Sequence, residues 1–167
     1  TAPDTAADSV EFLHRDGLVR LELPAHWRYQ FDPESGGLFQ APAAHSGLLR
    51  LRVFAVRPEH RTGDRARDAL LGIRDVRAEE IVSLGDDHLL ATYAIRGMEG
   101  MNTSTIFWWH LAVPGPSDTA RVANFAYIIP TLREKDPREA VTFRLLHDAI
   151  RRARVNVTLP LDILPTR

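Results

Sequence analysis

Apolar and polar positions alternate with a period of two along most of the chain, and the spacing becomes helical in two places. Val19, Leu21 and Leu23 alternate with Arg20 and Glu22, so Leu18 to Leu23 reads as a half-buried strand. Val10 to Leu13 pairs with it across the turn-type sequence Arg15-Asp16-Gly17. Pro24 ends the strand, and Asp32-Pro33-Glu34-Ser35-Gly36-Gly37 closes a hairpin whose return is Leu38 to Ala41. Pro42 to Gly47 is a loop. Leu48 to Val56 is a longer strand, with Arg50 and Arg52 on one face and Leu49, Leu51 and Val53 on the other.

Thr62 or Asp64 can cap a helix to about Val76, with Ala66, Ala69, Leu70 and Ile73 as its apolar stripe. Glu80 to Leu84, His88 to Arg96, Asn102 to Val113 and Val122 to Ile129 then form an antiparallel meander, punctuated by glycine, aspartate and proline. Asp136-Pro137-Arg138-Glu139 supplies an N-cap, a proline at N1 and a glutamate at N3 for a helix to about Ala153. Arginines 151, 152 and 154 suit its C-terminal end. Residues 1–9 are small and polar, a disordered lead-in. Residues 10–154 make one α+β domain, a twisted antiparallel sheet sandwiched between two helices. Residues 155–167 are an apolar, proline-punctuated tail.

The central hairpin is expected to pair Gly97 with Met101. That register puts Leu89 opposite Trp109 on one face, and His88 opposite His110 and Leu90 opposite Trp108 on the other.

Composition narrows the chemistry. In 167 residues, 44% hydrophobic, 21 basic groups oppose 22 acidic ones, so bulk charge draws the chain to neither nucleic acid nor an anionic membrane. No cysteine is present, which removes disulfides, thiol nucleophiles and cysteine-ligated metals. No apolar run is long enough to span a bilayer. The chain starts at Thr1 without methionine, which leaves both a bacterial cytoplasmic location and export after signal removal open.

Candidate sites follow from placement. His88 facing His110 beside Asp86 and Asp87 would offer two imidazoles and a carboxylate to a transition metal, the basis of a metal-dependent enzyme reading, although the spacing matches no known ligand signature. No cofactor is implied. Trp27 and Tyr29 sit where aromatics can anchor a partner, while a core plug is the simpler role for Trp27. Trp108 and Trp109 point to opposite sheet faces, with Trp109 expected in the core and Trp108 at a groove, an interface or a helix-covered surface. A hollow near Leu90, Ile106 and Trp108 would suit a small-ligand or lipid carrier. Leu159, Leu161 and Ile163 in the tail either add a strand to a second copy, giving a homodimer, or fold back on their own domain.

The order of elements and the strand running into Leu23-Pro24-Ala25-His26-Trp27 resemble the PsbP-like superfamily. Its "leucine-proline-x-x-tryptophan" opening is matched by Leu23, Pro24 and Trp27, and the resemblance spans residues 10 to 155 by topology. That superfamily includes the extrinsic oxygen-evolving subunit of photosystem II, a Ran-binding import factor called Mog and small bacterial domains. The loop from Phe31 to Gly47 and the tail beyond Arg154 carry no family signature. The resemblance implies a non-enzymatic domain that binds another protein as an assembly factor, adaptor or chaperone, without naming the partner.

Overall fold

In the computed structural model, residues 9–42, 47–59, 61–99 and 102–163 are described. Apart from Ser9, the expected lead-in lies outside them, as do His45, His60 and Leu164. β1 (Ser9–His14) and β2 (Val19–Pro24) form a hairpin whose turn places Arg15, Asp16 and Gly17 at positive φ. β3 (Arg28–Asp32), β4 (Gly36–Gln40) and β5 (Leu48–Val56) follow. After α1 (Arg65–Leu71) come β6 (Val82–Gly85), β7 (His88–Glu99), β8 (Asn102–Pro114) and β9 (Ala120–Pro130). The chain closes with α2 (Pro137–Arg152) and the short β10 (Arg154–Val155).

The strands form two antiparallel sheets, where the sequence pattern had implied one. A seven-stranded sheet runs β3-β4-β5-β9-β8-β7-β6, and a three-stranded sheet runs β1-β2-β10. The architecture is therefore α+β. One face of the large sheet presents Leu49, Leu51, Leu111, Phe125, Tyr127 and Trp109, all fully buried. They share a core with Leu21 and Leu23 of the small sheet and Leu146 and Ile150 of α2. Burial of each such side chain contributes roughly 1.5–3 kcal/mol. On the opposite face, Ala66, Ala69 and Leu70 of α1 and Val76 pack with Ala91, Ala112, Ala120 and Val122, and Ile73, Ile81 and Tyr93 border this smaller cluster.

Both helices are capped by aspartate. Asp64 accepts from Arg67 N at 3.1 Å, and Asp136 accepts from Arg138 N at 2.9 Å. α1 is shorter than the expected helix to Val76, since the chain leaves the helical path at Gly72, although Ile73 and Val76 still pack beneath it. Thr62 donates to the Asp68 carboxylate at 2.7 Å and so does not cap the helix. Glu139 does not close a capping box. Its carboxylate turns inward and accepts the Tyr127 hydroxyl at 2.7 Å.

The β7–β8 register differs from expectation. Glu99 pairs with Asn102 and Ala91 with His110, so His110 sits three residues away from the anticipated partner His88. An odd shift exchanges sheet faces, so His88 and His110 point to opposite sides. The pairing of β8 with β9 explains the choice, because Trp109 opposite Phe125 and Phe107 opposite Tyr127 put four large aromatics of the meander on the core side. Leu90 faces that same core, apart from Ile106 and Trp108, so the three do not line one hollow.

The tail folds back. Val155 pairs with Val19, Asn156 N donates to Leu18 O at 2.9 Å, and Ile163 forms a parallel bridge with Ala55 on the part of β5 that β4 leaves unpaired. Buried Arg121 holds it by donating to the carbonyls of Asn156, at 2.8 Å, and Leu159. Leu159 and Leu161 are partly buried against the main core. This is the intramolecular alternative, and the boundary drawn at Arg154 falls inside β10.

Candidate functional site: the open face of the large sheet

α1, Ile73 and Ile81 pack over one end of that face and toward Tyr93, while Ile95 stays exposed and Ile106, Ile128 and Trp108 half-buried. Strand alternation fixes what the face displays. Nearest α1, Arg52, Asn124, His110 and Ala91 form one cross-strand row. The next row is Leu38, Arg50, Ala126, Trp108 and Tyr93, and beyond it lie Leu48, Ile128, Ile106 and Ile95. Ile95 is 40% exposed, and Ile106, Ile128, Leu48 and Trp108 are half-buried. An apolar band thus borders a mixed band of arginine, indole and imidazole.

The middle of the face is tightly wired. His110 shares hydrogen bonds with Asn124 Oδ1 at 2.6 Å and Tyr93 Oη at 2.8 Å, and Trp108 stacks on the His110 ring with centroids 5.4 Å apart. Burial lowers the His110 pKa, so the ring sits there neutral. Burial raises the Tyr93 pKa, helped by Asp75 and Glu80. The face is electrically polarised, with Arg50 and Arg52 on β5 and those two acids near enough to act on Tyr93 of β7.

Small Ala126 lies between Arg50 and Trp108, so a hollow of about 190 Å³ opens there, lined also by Phe54 and Asn124. Arg50 and Trp108 both line it. Among the described residues, the buried Nε of Arg50 and Nε1 of Trp108 have no hydrogen-bond partner. Arg52 is already engaged, donating to the carbonyls of Glu34 at 2.8 Å and Ser35 at 3.3 Å. Phe54 and Asn124 also border a wider groove of about 640 Å³ under α1, reaching Leu71 and Ile73.

The other candidates have structural placements. His88 is buried behind the opposite face, with Nδ1 2.8 Å from Asp86 O and Nε2 accepting Val155 N at 3.2 Å. It pins β10 to the β6–β7 turn, where Asp86 and Asp87 adopt positive φ. Among the described residues no group of three or more histidine, aspartate or glutamate side chains is placed to hold a metal. The two-histidine metal centre is therefore withdrawn on geometry. Trp27 is 6% exposed and belongs to the core. Tyr29 is half-buried and bonds His14 Nδ1 at 2.8 Å. No helix among the described residues is long and apolar enough to cross a membrane.

Sequence reading missed Arg50, Asn124 and Tyr93 as members of one site. The signals were a lone asparagine in the apolar run Val122 to Ile129 and arginines alternating with Leu49, Leu51 and Val53.

No family model and no curated protein matches the chain. Among solved structures, a protein from Bacteroides thetaiotaomicron VPI-5482 is similar with a TM-score of 0.58 and 17% identity, over 96% of this chain and 54% of its own. The chain therefore spans about half the length of that protein. A mutant of the protein Mog1 matches with a TM-score of 0.52 and 10% identity, over 90% of this chain and 97% of its own. Cyanobacterial PsbP from Synechocystis sp. PCC 6803 matches with a TM-score of 0.45 and 10% identity, over 93% and 97%. The likenesses to the Bacteroides protein and to Mog1 support a PsbP-like resemblance at the level of the fold alone.

Proposed function

We propose that this PsbP-like chain is a non-enzymatic protein-binding domain and that the open face around Trp108 is its contact surface. One observation carries the reading. An uncovered sheet face combines apolar side chains with two buried donors, Arg50 Nε and Trp108 Nε1, that the chain leaves unpaired. An unpaired buried donor costs roughly 1–3 kcal/mol, a penalty that an acceptor from outside removes. A half-buried tryptophan beside an arginine also has the composition of an interface anchor. The tail residues Leu159, Leu161 and Ile163 are not needed as contacts, since they lie against their own chain.

Site-specific photo-crosslinking in the source cells tests this. A benzophenone side chain at Ile106, on the open face, should give a discrete higher-mass adduct that Trp108→Ala abolishes. The same group at Val141, 69% exposed on α2, should give none. Identical adduct patterns from both positions, or none from Ile106, would refute the reading. A second reading, a small-ligand carrier, draws support from the groove of about 640 Å³ beneath α1. Native mass spectrometry of protein from its own host would then show a bound small molecule, lost on Leu71→Asp.

A further inference from the structure

We propose that the open face is built for an acidic peptide segment, with a carboxylate of the partner seated against Arg50 and a main-chain carbonyl received by Trp108. This rests on the protein-binding reading and narrows it to a chemistry.

Arg50 and Trp108 occupy one cross-strand row, separated by Ala126. Two strand spacings put their Cα atoms roughly 10 Å apart. Among the buried side-chain atoms of the described residues, the two left unpaired at Arg50 and Trp108 are both donors, a guanidinium N–H and an indole N–H. The occupant must therefore bring acceptors. A guanidinium pairs best with a carboxylate, which it meets with a charge-assisted bond. No carboxylate of the described residues bonds Arg50, and neighbouring Arg52 is committed to main-chain carbonyls, so the β5 side carries uncompensated positive charge.

The separation of the two residues, with Ala126 between them, selects among carboxylates. A fatty acid carries both acceptor oxygens on one carbon and has nothing further to offer the indole. An extended peptide supplies a side-chain carboxylate at one point and backbone carbonyls a few ångströms away. The band of Leu48, Ile128, Ile106 and Ile95 alongside then takes the large apolar neighbours of the acidic residue. The acids near Tyr93 disfavour a second negative charge at the β7 end, so the segment holds its acidic residue toward β5.

Selection of a random 12-residue peptide library on the whole chain, followed by fluorescence polarisation on the enriched peptides, tests this. Enriched peptides should carry aspartate or glutamate flanked by large apolar residues. Changing that acid to its amide should weaken binding tenfold or more. Arg50→Gln should abolish the acid-over-amide preference, whereas Arg50→Lys should retain it. Trp108→Phe keeps the ring but removes the N–H, and should weaken acid and amide peptides equally, by a few-fold. Circular dichroism of each variant confirms folding. If enriched peptides bind acid and amide forms equally while the Ile106 crosslink persists, the acidic-segment proposal fails and the protein-binding reading stands. Absence of both peptide binding and the crosslink overturns both. Saturable binding of free decanoate that depends on Arg50, with no peptide enriched, overturns the proposal in favour of a carrier.

Discussion

His14 makes stability fall with acidification, by an amount that the structure sets. Its ring is 2% exposed, wedged between Tyr29, Phe31 and the backbone at Gly37, where a Cβ would come within 2.8 Å of Nδ1. Burial, with the Arg15 cation adding in the same direction, lowers its pKa from 6.5 to about 4. The unfolded chain takes up this proton near 6.5, whereas the native protein resists it until about 4. Stability is therefore intact above 6.5 and declines as the pH falls toward 4. At 1.36 kcal/mol per decade, the full loss is about 3 kcal/mol, of which about 2 is incurred by pH 5. Urea unfolding at pH 8 and pH 5, on wild-type protein and His14→Gln, measures it. The variant cannot titrate at this position, so its stability should change less between the two pH values by about 2 kcal/mol. His88 and His110, also held neutral by burial, contribute equally to both proteins and cancel in the comparison. Parallel pH profiles, or a His14 imidazole resonance that titrates near 6.5, would refute the argument.

Two further predictions concern the core and the tail. Tyr127→Phe removes a buried hydroxyl that donates to Glu139 at 2.7 Å and accepts from Gly47 N at 3.1 Å, and should cost about 2 kcal/mol in urea unfolding. A cycle with Glu139→Gln should show the two substitutions to be non-additive. Arg121→Met removes the guanidinium that grips the Asn156 and Leu159 carbonyls, so amide exchange over residues 156–163 should accelerate roughly tenfold or more while β8 and β9 exchange unchanged.

The face of the sheet also separates two kinds of polar residue that look alike in the sequence. His88 and His110 are both buried and both neutral. His88 is consumed by the fold, since its two nitrogens join the β6–β7 turn to β10. His110 lies under Trp108 and braces it through Asn124 and Tyr93, which holds the indole at the open surface. Removing His110 should thus act on the site through Trp108 and not through direct contact with a partner.

Local pattern was enough for most elements. Alternation marked β2 and β5, turn residues bounded β9, Asp64 and Asp136 marked the helix starts, and a period of two alone put Trp108 and Trp109 on opposite faces. Leu23, Pro24 and Trp27 already pointed to the PsbP-like resemblance that the fold supports. The sites depended on longer-range facts. Whether His88 meets His110 turns on the hairpin register, which is set by β8 packing its aromatics against β9 and which no residue near Gly97 specifies. Whether the tail seeks a second copy turns on Arg121, a residue 35 positions before Asn156 whose guanidinium gains nothing from its own strand. Whether Arg50 is an ordinary surface cation turns on the short reach of α1, because a longer helix would have covered the hollow between Arg50 and Trp108. Periodicity is a property of neighbours a few residues apart, so the sequence reveals it directly. Register, coverage and unpaired donors arise between segments far apart in the chain, and only the packed tertiary structure determines them.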